Sequence, residues 1–223
     1  MCGRFVTRTK AAMEREWRLR RPPPLFASYN VTPSTRVPIV RLAEDGAREA
    51  VLMRWGMIPS WAQGATTKYA TINATAERMK TAPVYRGPWK RGQRCLFPVS
   101  GFYEWQAVAG RSTKQPWFIR VADQDLFALG GLWDSSRRED GTVVESCTIV
   151  TLPANEMLAE IHNTKKRMPL ILPRDAYEGW LGSQNDAAEA FIQPYPSSRL
   201  EAWPVSTYVN SPKNDDPRCC SHL

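Results

Sequence analysis

The sequence predicts an α+β fold: a single domain with a curved, barrel-like, mainly antiparallel sheet flanked by helices. Segments typical of hairpin strands, separated by short turns, fill the middle of the chain. Helical patterns lie nearer its ends, and no strand–helix–strand alternation repeats, which disfavours a doubly wound parallel sheet. With 223 residues, 43% of them hydrophobic and 10% aromatic, the chain can build one large core, and a disordered protein is excluded.

Helices are predicted where apolar residues recur at helical spacing between breaking residues. The first ends before Pro22-Pro23-Pro24, because proline inside a helix removes a backbone hydrogen bond. Another begins at Pro153, since the first helical turn tolerates a missing N–H. The predicted helices span residues 9–20, 153–161, 174–181 and 186–192, with a short one near Glu77.

Strands are predicted where apolar segments flank turns such as Glu44-Asp45-Gly46 and Gly110-Arg111-Ser112. They span residues 36–42, 49–55, 94–99, 102–107, 115–122, 126–133, 143–151, 170–172 and 200–206, and residues 69–74 are expected to be extended. The domain is therefore expected to cover residues 2–210. Residues 211–223 lack a pattern and are expected to form a loose C-terminal tail.

The balance of charge points to a class of partner. Lys and Arg number 30 against 22 Asp and Glu, a net charge of +8, which favours a polyanion such as nucleic acid through counterion release. Nine Trp residues offer flat rings on which bases can stack. The alternative is a protein with solvated basic faces and with its rings packed in the core.

Several other classes are disfavoured by features that the sequence lacks. No run reaches the roughly 18 apolar residues of a membrane span, and charges interrupt the first twenty positions, so neither membrane association nor secretion is expected. Five cysteines without metal-ligand spacing favour free thiols in a reducing compartment. The tail cluster Cys219-Cys220-Ser221-His222 is a weak metal pattern, because a flexible tail does not preorganise a site. No metal or cofactor is predicted.

Cys2 is the unusual residue, because an initiator Met before a small residue is commonly removed. Cys2 would then carry an α-amine with a pKa of about 7.7–8.0 beside a thiol with a pKa of about 8.5. The amine can attack an aldehyde to form an imine, and the thiolate can close on the imine carbon to give a thiazolidine ring. Gly3 would let a ligand approach the backbone, and Arg4 would supply a fork for phosphate. The alternative is an ordinary cysteine near the N-terminus.

Glu104 and His162 are candidates for proton transfer. Glu104 lies among large aromatic residues, so burial would raise its pKa into the range of a general acid or base. The alternative is a Glu at a sheet edge that faces solvent. His162 follows a predicted helix and precedes a basic run, which suits proton transfer, although a lone His is more often structural.

Six motifs occur in order along the chain. They are Met1-Cys2-Gly3-Arg4-Phe5, Tyr29-Asn30-Val31-Thr32-Pro33, Arg54-Trp55-Gly56-Met57-Ile58-Pro59-Ser60-Trp61, Ile72-Asn73-Ala74, Gly101-Phe102-Tyr103-Glu104-Trp105, and Ile161-His162 with Arg167-Met168-Pro169-Leu170-Ile171-Leu172. This order and spacing resembles the SOS response-associated peptidase (SRAP) family, also described as abasic-site processing proteins. The resemblance runs from residue 2 to about Asn210.

The resemblance implies a single α+β domain that binds single-stranded DNA and forms a thiazolidine crosslink to the ring-opened aldehyde of an abasic site. Cys2 matches the nucleophile, Asn73 the residue that orients it, Glu104 the acid/base for imine formation, and His162 the residue that helps open the deoxyribose ring. The family is also credited with autoproteolytic removal of the leading Met and with lyase-like strand cleavage. The positions expected to line the DNA are Gly3, Arg4, Asn30, Pro33, Trp61, Arg78, Thr151 and Arg167.

The sequence departs from the family pattern at three places. Thr75 stands where the family usually has an Arg that contacts phosphate, and Arg78 is close enough in sequence to replace it. Ser100 replaces the usual Asp before the Gly-Phe-Tyr-Glu-Trp motif, and the stretch from His162 to Arg167 is longer than the shortest family form. None of these departures touches the four chemical positions.

Two other functions remain open at the level of sequence: a thiol peptidase with an N-terminal nucleophile, and a non-catalytic module that binds single-stranded nucleic acid. The first uses the same Cys2, whereas the second leaves Cys2, Glu104 and His162 without a role. The protein is expected to be a monomer, cytoplasmic and nucleoid-associated in a prokaryote or nuclear in a eukaryote.

Overall fold

The computed structural model describes residues 2–9, 13–66 and 70–223 of the chain. Its strands are β1 (Phe5–Arg8), β2 (Ala27–Val31), β3 (Arg36–Leu42), β4 (Arg48–Trp55), β5 (Asn73–Thr75), β6 (Arg94–Val99), β7 (Gly101–Gln106), β8 (Gln115–Val121), β9 (Phe127–Arg137), β10 (Val143–Pro153), β11 (Arg167–Pro169), β12 (Ile171–Leu172) and β13 (Leu200–Pro204). Its α-helices are α1 (Met13–Glu16), α2 (Arg86–Lys90), α3 (Glu156–Ile161), α4 (Ala176–Gly182) and α5 (Asn185–Glu189).

Five strands close into a barrel in the order β4, β3, β6, β9 and β10. Neighbouring strands are antiparallel except where β10 returns to β4, a parallel pairing that closes the ring. Gly131 on β9 permits the closure, because a side-chain carbon there would lie 2.6 Å from the Thr148 carbonyl oxygen of β10. β10 also pairs in parallel with β5 and antiparallel with β11, so it links the barrel to both.

A second, antiparallel sheet has the strand order β13, β8, β7, β1 and β2. β1 lies between β7 and β2, and its Phe5 ring enters the core, 4.9 Å from the Trp55 ring of the barrel. This contact anchors the strand that begins three residues after Cys2. The expected α+β domain with a barrel-like, mainly antiparallel sheet is therefore confirmed.

All four of the long predicted helices are shorter than expected among the described residues, and the first two differ most. Among the described residues the first helix spans Met13–Glu16, and positive φ at Arg18 and a β-bridge from Leu19 to Arg48 end it; residues 10–12 of the predicted helix lie outside the described residues. Pro153 is the last residue of β10 and does not begin a helix, because Pro153 and the two residues before it pair with β11. Helix α3 instead starts at Glu156, where the side chain of Asn155 accepts a hydrogen bond from the Leu158 N–H.

The sequence patterns did not predict β1, β2 or α2. The short helix predicted near Glu77 is also wrong, because the residues around Glu77 form turns. β1 has four residues and gains its partners from β2 and β7, which lie far apart in sequence. The predicted extended segment 69–74 appears as β5 at Asn73–Thr75, and Tyr69 lies outside the described part of the chain.

Residues 211–223 are not a loose tail, which corrects the prediction. The Asp215 carboxylate accepts hydrogen bonds from the Ser28 hydroxyl and from the backbone N–H groups of Tyr29 and Asn30. Asp215 thereby caps the open edge of β2. Cys219 is fully buried in a small apolar cluster with Val6. Sequence patterning failed here because these polar and small residues are held by contacts with distant strands. Among the described residues, no helix has the length and apolar character to cross a bilayer.

Candidate active site

Cys2 lies just before β1 and is completely buried. Its Sγ is 3.8 Å from the Arg4 carbonyl oxygen, and its own carbonyl oxygen accepts a hydrogen bond of 2.9 Å from Asn73 Nδ2. Burial raises the pKa of the Cys2 thiol well above its ordinary value, and the nearby Glu104 carboxylate raises it further. The resting thiol is therefore protonated at neutral pH.

Asn73 is held in place from both sides. As the first residue of β5 it pairs with Ile149 of β10, and its carbonyl oxygen accepts a hydrogen bond of 3.0 Å from the Tyr85 hydroxyl. The Trp55 indole N–H binds the carbonyl of the preceding Ile72 at 3.0 Å. Tyr85 is not part of any of the six motifs, although the sequence shows it as an aromatic residue beside the basic Arg86. Its contact with Asn73 depends on the tertiary fold.

Glu104 and His162 form a buried pair. Glu104 on β7 is 2% exposed and His162 at the end of α3 is 5% exposed, and Glu104 Oε2 lies 3.8 Å from His162 Nε2. Burial raises the pKa of Glu104 to about 7 and lowers the pKa of His162 below its ordinary value. The exposed Lys114 and Lys165 add positive charge that favours the carboxylate and disfavours the imidazolium.

The tautomer of His162 follows from its backbone contact. His162 Nδ1 lies 3.0 Å from the Arg167 carbonyl oxygen, and a carbonyl oxygen can only accept a hydrogen bond. The neutral ring therefore carries its proton on Nδ1, which leaves Nε2 as a base directed toward Glu104. The structure thus brings together Cys2, Asn73, Glu104 and His162, four residues from separate parts of the chain.

Four of the positions expected to line DNA make internal contacts. The Arg4 guanidinium donates to Asn30 Oδ1 at 2.7 Å and to the Val209 and Asn210 carbonyls. Its two terminal nitrogens are therefore already engaged and do not present a free two-point contact for a phosphate. Asn30 is buried and donates to three carbonyls of the C-terminal segment. Thr151 is fully buried, and its carbonyl accepts from Arg167, which also forms a two-point ion pair with Glu77.

The remaining positions are accessible. Trp61 is 61% exposed, Pro33 and Arg78 are exposed, and Gly3 is half-buried. Trp61 and Arg78 line a cleft of about 1000 Å³ with Thr75 and Tyr85, and Asn73 also lines it. Cys2, Glu104 and His162 are not among the residues that line this cleft, and Asn73 connects it to Cys2 through the hydrogen bond to the Cys2 carbonyl. Arg78 shares the cleft with Thr75.

The described residues contain no group of three or more His, Cys, Asp and Glu side chains placed to hold a metal ion. In the tail, the His222 ring stacks on Trp203 with ring centroids 4.5 Å apart. Cys219 is buried while Cys220 is partly exposed.

Comparison with known proteins identifies the family. The sequence profile described as SOS response associated peptidase (SRAP) matches residues 1–212. The chain belongs to this family. The resemblance drawn from the six motifs is thereby confirmed.

Named relatives of this SRAP chain extend from bacteria to vertebrates. It is 38% identical over 194 residues to the abasic site processing protein YoqW of Bacillus subtilis, covering 85% of this chain and 84% of that one. It is 31% identical over 263 residues to the abasic site processing protein HMCES of Gallus gallus, covering 98% and 77% of the two chains. A crystal structure of a protein from Bacteroides thetaiotaomicron superposes with a TM-score of 0.84 at 26% identity and 100% coverage of both chains.

Proposed function

We propose that this SRAP protein processes abasic sites in single-stranded DNA by bonding Cys2 covalently to the ring-opened deoxyribose. The observation that carries the proposal is the buried Glu104–His162 pair beside Cys2, with Nε2 and Oε2 3.8 Å apart. A carboxyl group with a pKa of about 7 is suited to both giving and taking a proton near neutrality. The names of the Bacillus and Gallus relatives support the same substrate.

The chemistry begins with removal of Met1, which gives Cys2 a free α-amine. His162 Nε2 takes the proton of the sugar hydroxyl at C1′, the C1′–O4′ bond breaks, and O4′ takes that proton from His162, which leaves an aldehyde and a free hydroxyl. The amine adds to C1′ and passes one proton to the oxygen there. Glu104 then protonates the hydroxyl, water leaves, and the Glu104 carboxylate takes the remaining N–H proton to give a neutral imine. The Cys2 sulfur then bonds to C1′ while its proton passes to the nitrogen, and the product is a neutral thiazolidine.

In these steps Asn73 orients Cys2 and takes no part in proton transfer. Its hydrogen bond to the Cys2 carbonyl limits the rotation of Cys2, so the amine and sulfur approach the same carbon. Closure of the ring is intramolecular, which favours the thiazolidine over the reversible imine.

A peptidase activity on the protein's own Met1–Cys2 bond is the second candidate, and the family description favours it. In this proposal the peptide bond is cleaved once to prepare Cys2, and DNA is the substrate thereafter. We propose in addition that the protein acts as a monomer in the compartment that holds DNA. Strand cleavage at the abasic site would follow from the same imine.

Three substrates on one denaturing gel test the proposal: abasic single-stranded DNA, the same strand without the lesion, and a panel of peptides. We expect a heat-stable shifted band with the abasic strand alone, and an intact protein mass that lacks Met1. A protein that binds all strands but forms no covalent adduct is a binding module. Peptide cleavage without an adduct would instead assign a peptidase.

A further inference from the structure

We propose that Asn163 is a positioning residue, which holds His162 against Glu104 by clamping the end of α3 to the end of β7. The inference rests on the proposed function, since it concerns the geometry of the same proton-transfer pair. Asn163 belongs to the loop from His162 to Arg167, which joins α3 to β11.

The clamp consists of two hydrogen bonds to one residue. Asn163 Nδ2 donates to the Ala107 carbonyl oxygen at 2.9 Å, and the Ala107 N–H donates to Asn163 Oδ1 at 3.0 Å. One side-chain amide thereby pairs with both polar groups of a backbone position just beyond β7. A two-point contact restrains rotation as well as distance, which a single hydrogen bond does not.

The clamp acts on the pair because it lies next to both of its residues in sequence. Asn163 directly follows His162, and Ala107 lies three residues after Glu104, so the clamp joins the two segments that carry the pair. Gln106 adds a weaker link, because its Nε2 donates to the Glu160 carbonyl at 3.2 Å while its Oε1 accepts from the Trp117 indole N–H.

Among the described residues, the backbone hydrogen bonds of this loop do not reach β7. The His162 carbonyl accepts from the backbone N–H groups of Lys165 and Lys166, and the His162 ring binds the Arg167 carbonyl. These bonds shape the loop internally, whereas Asn163 and Gln106 tie it to the strand of Glu104. Loss of the Asn163 side chain would let the loop move away and admit water between the ring and the carboxyl group.

Water between the two groups would change their titration. Burial lowers the pKa of His162 and raises the pKa of Glu104 to about 7, so hydration moves each toward its ordinary value. The charged groups that face the pair are the N-terminal amine, Lys114 beyond β7 and Lys165 in the loop, while the Cys2 thiol is near Glu104. Asn163→Ala removes none of these groups, because Asn163 is itself uncharged and exposed. Movement of the loop would also carry Lys165 away from the ring, which raises the pKa of His162 in the same direction as hydration.

The test compares wild type with Asn163→Ala, with Asn163→Gln as the conservative variant and with Asn155→Ala as the matched control. Asn155 caps the other end of α3 through Leu158 and Tyr195, so its loss removes two hydrogen bonds without touching β7. Proton NMR follows the titration of His162, and His222→Gln assigns the signals of the two histidines. Crosslinking to abasic single-stranded DNA is measured at saturating protein across pH.

We expect Asn163→Ala to raise the pKa of His162 and to slow crosslinking about 10-fold. The concentration for half-maximal binding of intact strands should be unchanged, Asn163→Gln should recover part of the rate, and Asn155→Ala should lower the melting temperature alone. Equal titration and rate in wild type and Asn163→Ala overturn the inference, as do equal shifts in Asn155→Ala. If wild type forms no crosslink the proposed function fails, and the NMR titration still decides whether Asn163 holds the pair.

Discussion

Burial shifts the pKa values of Cys2, Glu104 and His162, in directions that depend on which form of each group is neutral. The Cys2 thiol and the Glu104 carboxyl group are both neutral when protonated, so loss of solvent raises the pKa of each. The His162 ring is neutral when deprotonated, so burial lowers its pKa. At neutral pH the site therefore holds a thiol that keeps its proton, a base at His162, and an acid that is about half protonated.

The role of Cys2 is tested by Cys2→Ala and Cys2→Ser. We expect both to abolish the heat-stable adduct, because neither side chain offers a sulfur to close the ring on C1′. The assay is a denaturing gel with abasic single-stranded DNA. Cys220→Ala is the matched control, since Cys220 is the more accessible thiol and its loss should leave the adduct intact. A stable adduct in Cys2→Ala would exclude the thiazolidine.

The titration of Glu104 makes a prediction about stability. An unfolded Glu has its ordinary pKa of 4.5, while burial raises the pKa of the folded carboxyl group to about 7. The contribution of the protonated Glu104 to the free energy of unfolding is therefore fully present below pH 4.5. It is lost as the pH rises to 7, and the loss is on the order of 3 kcal/mol. Urea unfolding of wild type and Glu104→Gln at several pH values measures this. The wild type should lose stability across this window relative to the variant, and parallel curves would show that Glu104 titrates normally.

At the scale of elements, the C-terminal segment supports the N-terminal strand. Asp215 caps the edge of β2, Asn30 of β2 binds the carbonyls of Val209, Ser211 and Asn214, and Arg4 binds Asn30. A continuous path of hydrogen bonds thus runs from the C-terminal segment to the residue two positions after Cys2. This explains why Arg4 and Asn30 face inward despite their place in the family motifs.

Asp215→Ala tests this support. The change leaves two backbone N–H groups and a hydroxyl without their shared acceptor, and we expect a loss of about 2 kcal/mol in the free energy of unfolding. Asp140→Ala is the control, because that fully exposed turn carboxylate binds the backbone N–H and the side chain of its neighbour Thr142 and should change stability by less than about 0.5 kcal/mol. Equal stabilities of the two variants, measured in urea, would mean that the C-terminal segment does not support β2.

At the scale of the whole molecule, two of the four accessible candidate contacts, Trp61 and Arg78, line one cleft. The loop after β4 supplies Trp61, the turn after β5 supplies Arg78, and β5 places Asn73 between the cleft and Cys2. A flat exposed ring and a cation on the same cleft suit a single strand, whose bases stack and whose phosphates are charged. The net charge of +8 supplies attraction at longer range.

Salt dependence separates these two contributions to DNA binding. Arg78→Ala should reduce the slope of log affinity against log salt by about 0.7, as for one lost phosphate contact on a single strand. Trp61→Ala should weaken binding by about 1–3 kcal/mol with little change in slope, because stacking is not ionic. Fluorescence anisotropy with an intact oligonucleotide at several salt concentrations measures both. Identical slopes for Arg78→Ala and wild type would remove that phosphate contact.

Much of the candidate site could be predicted because its chemistry resides in residue types and their order. The exposed turns and the strands β3 and β6 were predicted with their observed bounds, since alternation and turn residues are local signals. Cys2 after Met1, Glu104 among aromatic residues and His162 before a basic run were likewise visible in the sequence. Residues whose role depends on a distant partner were not: Tyr85 reaches Asn73, and Asn163 reaches Ala107.

The sequence by itself determined the class of fold and the family and supplied the candidate reactive groups, because hydrophobic pattern and motif order are written along the chain. The tertiary structure alone decided how those groups are tuned and which basic residues are free. Burial sets the pKa of Glu104, and long-range hydrogen bonds turn Arg4 and Asn30 inward. Both effects depend on surroundings assembled from strands far apart in sequence, and no local pattern encodes them.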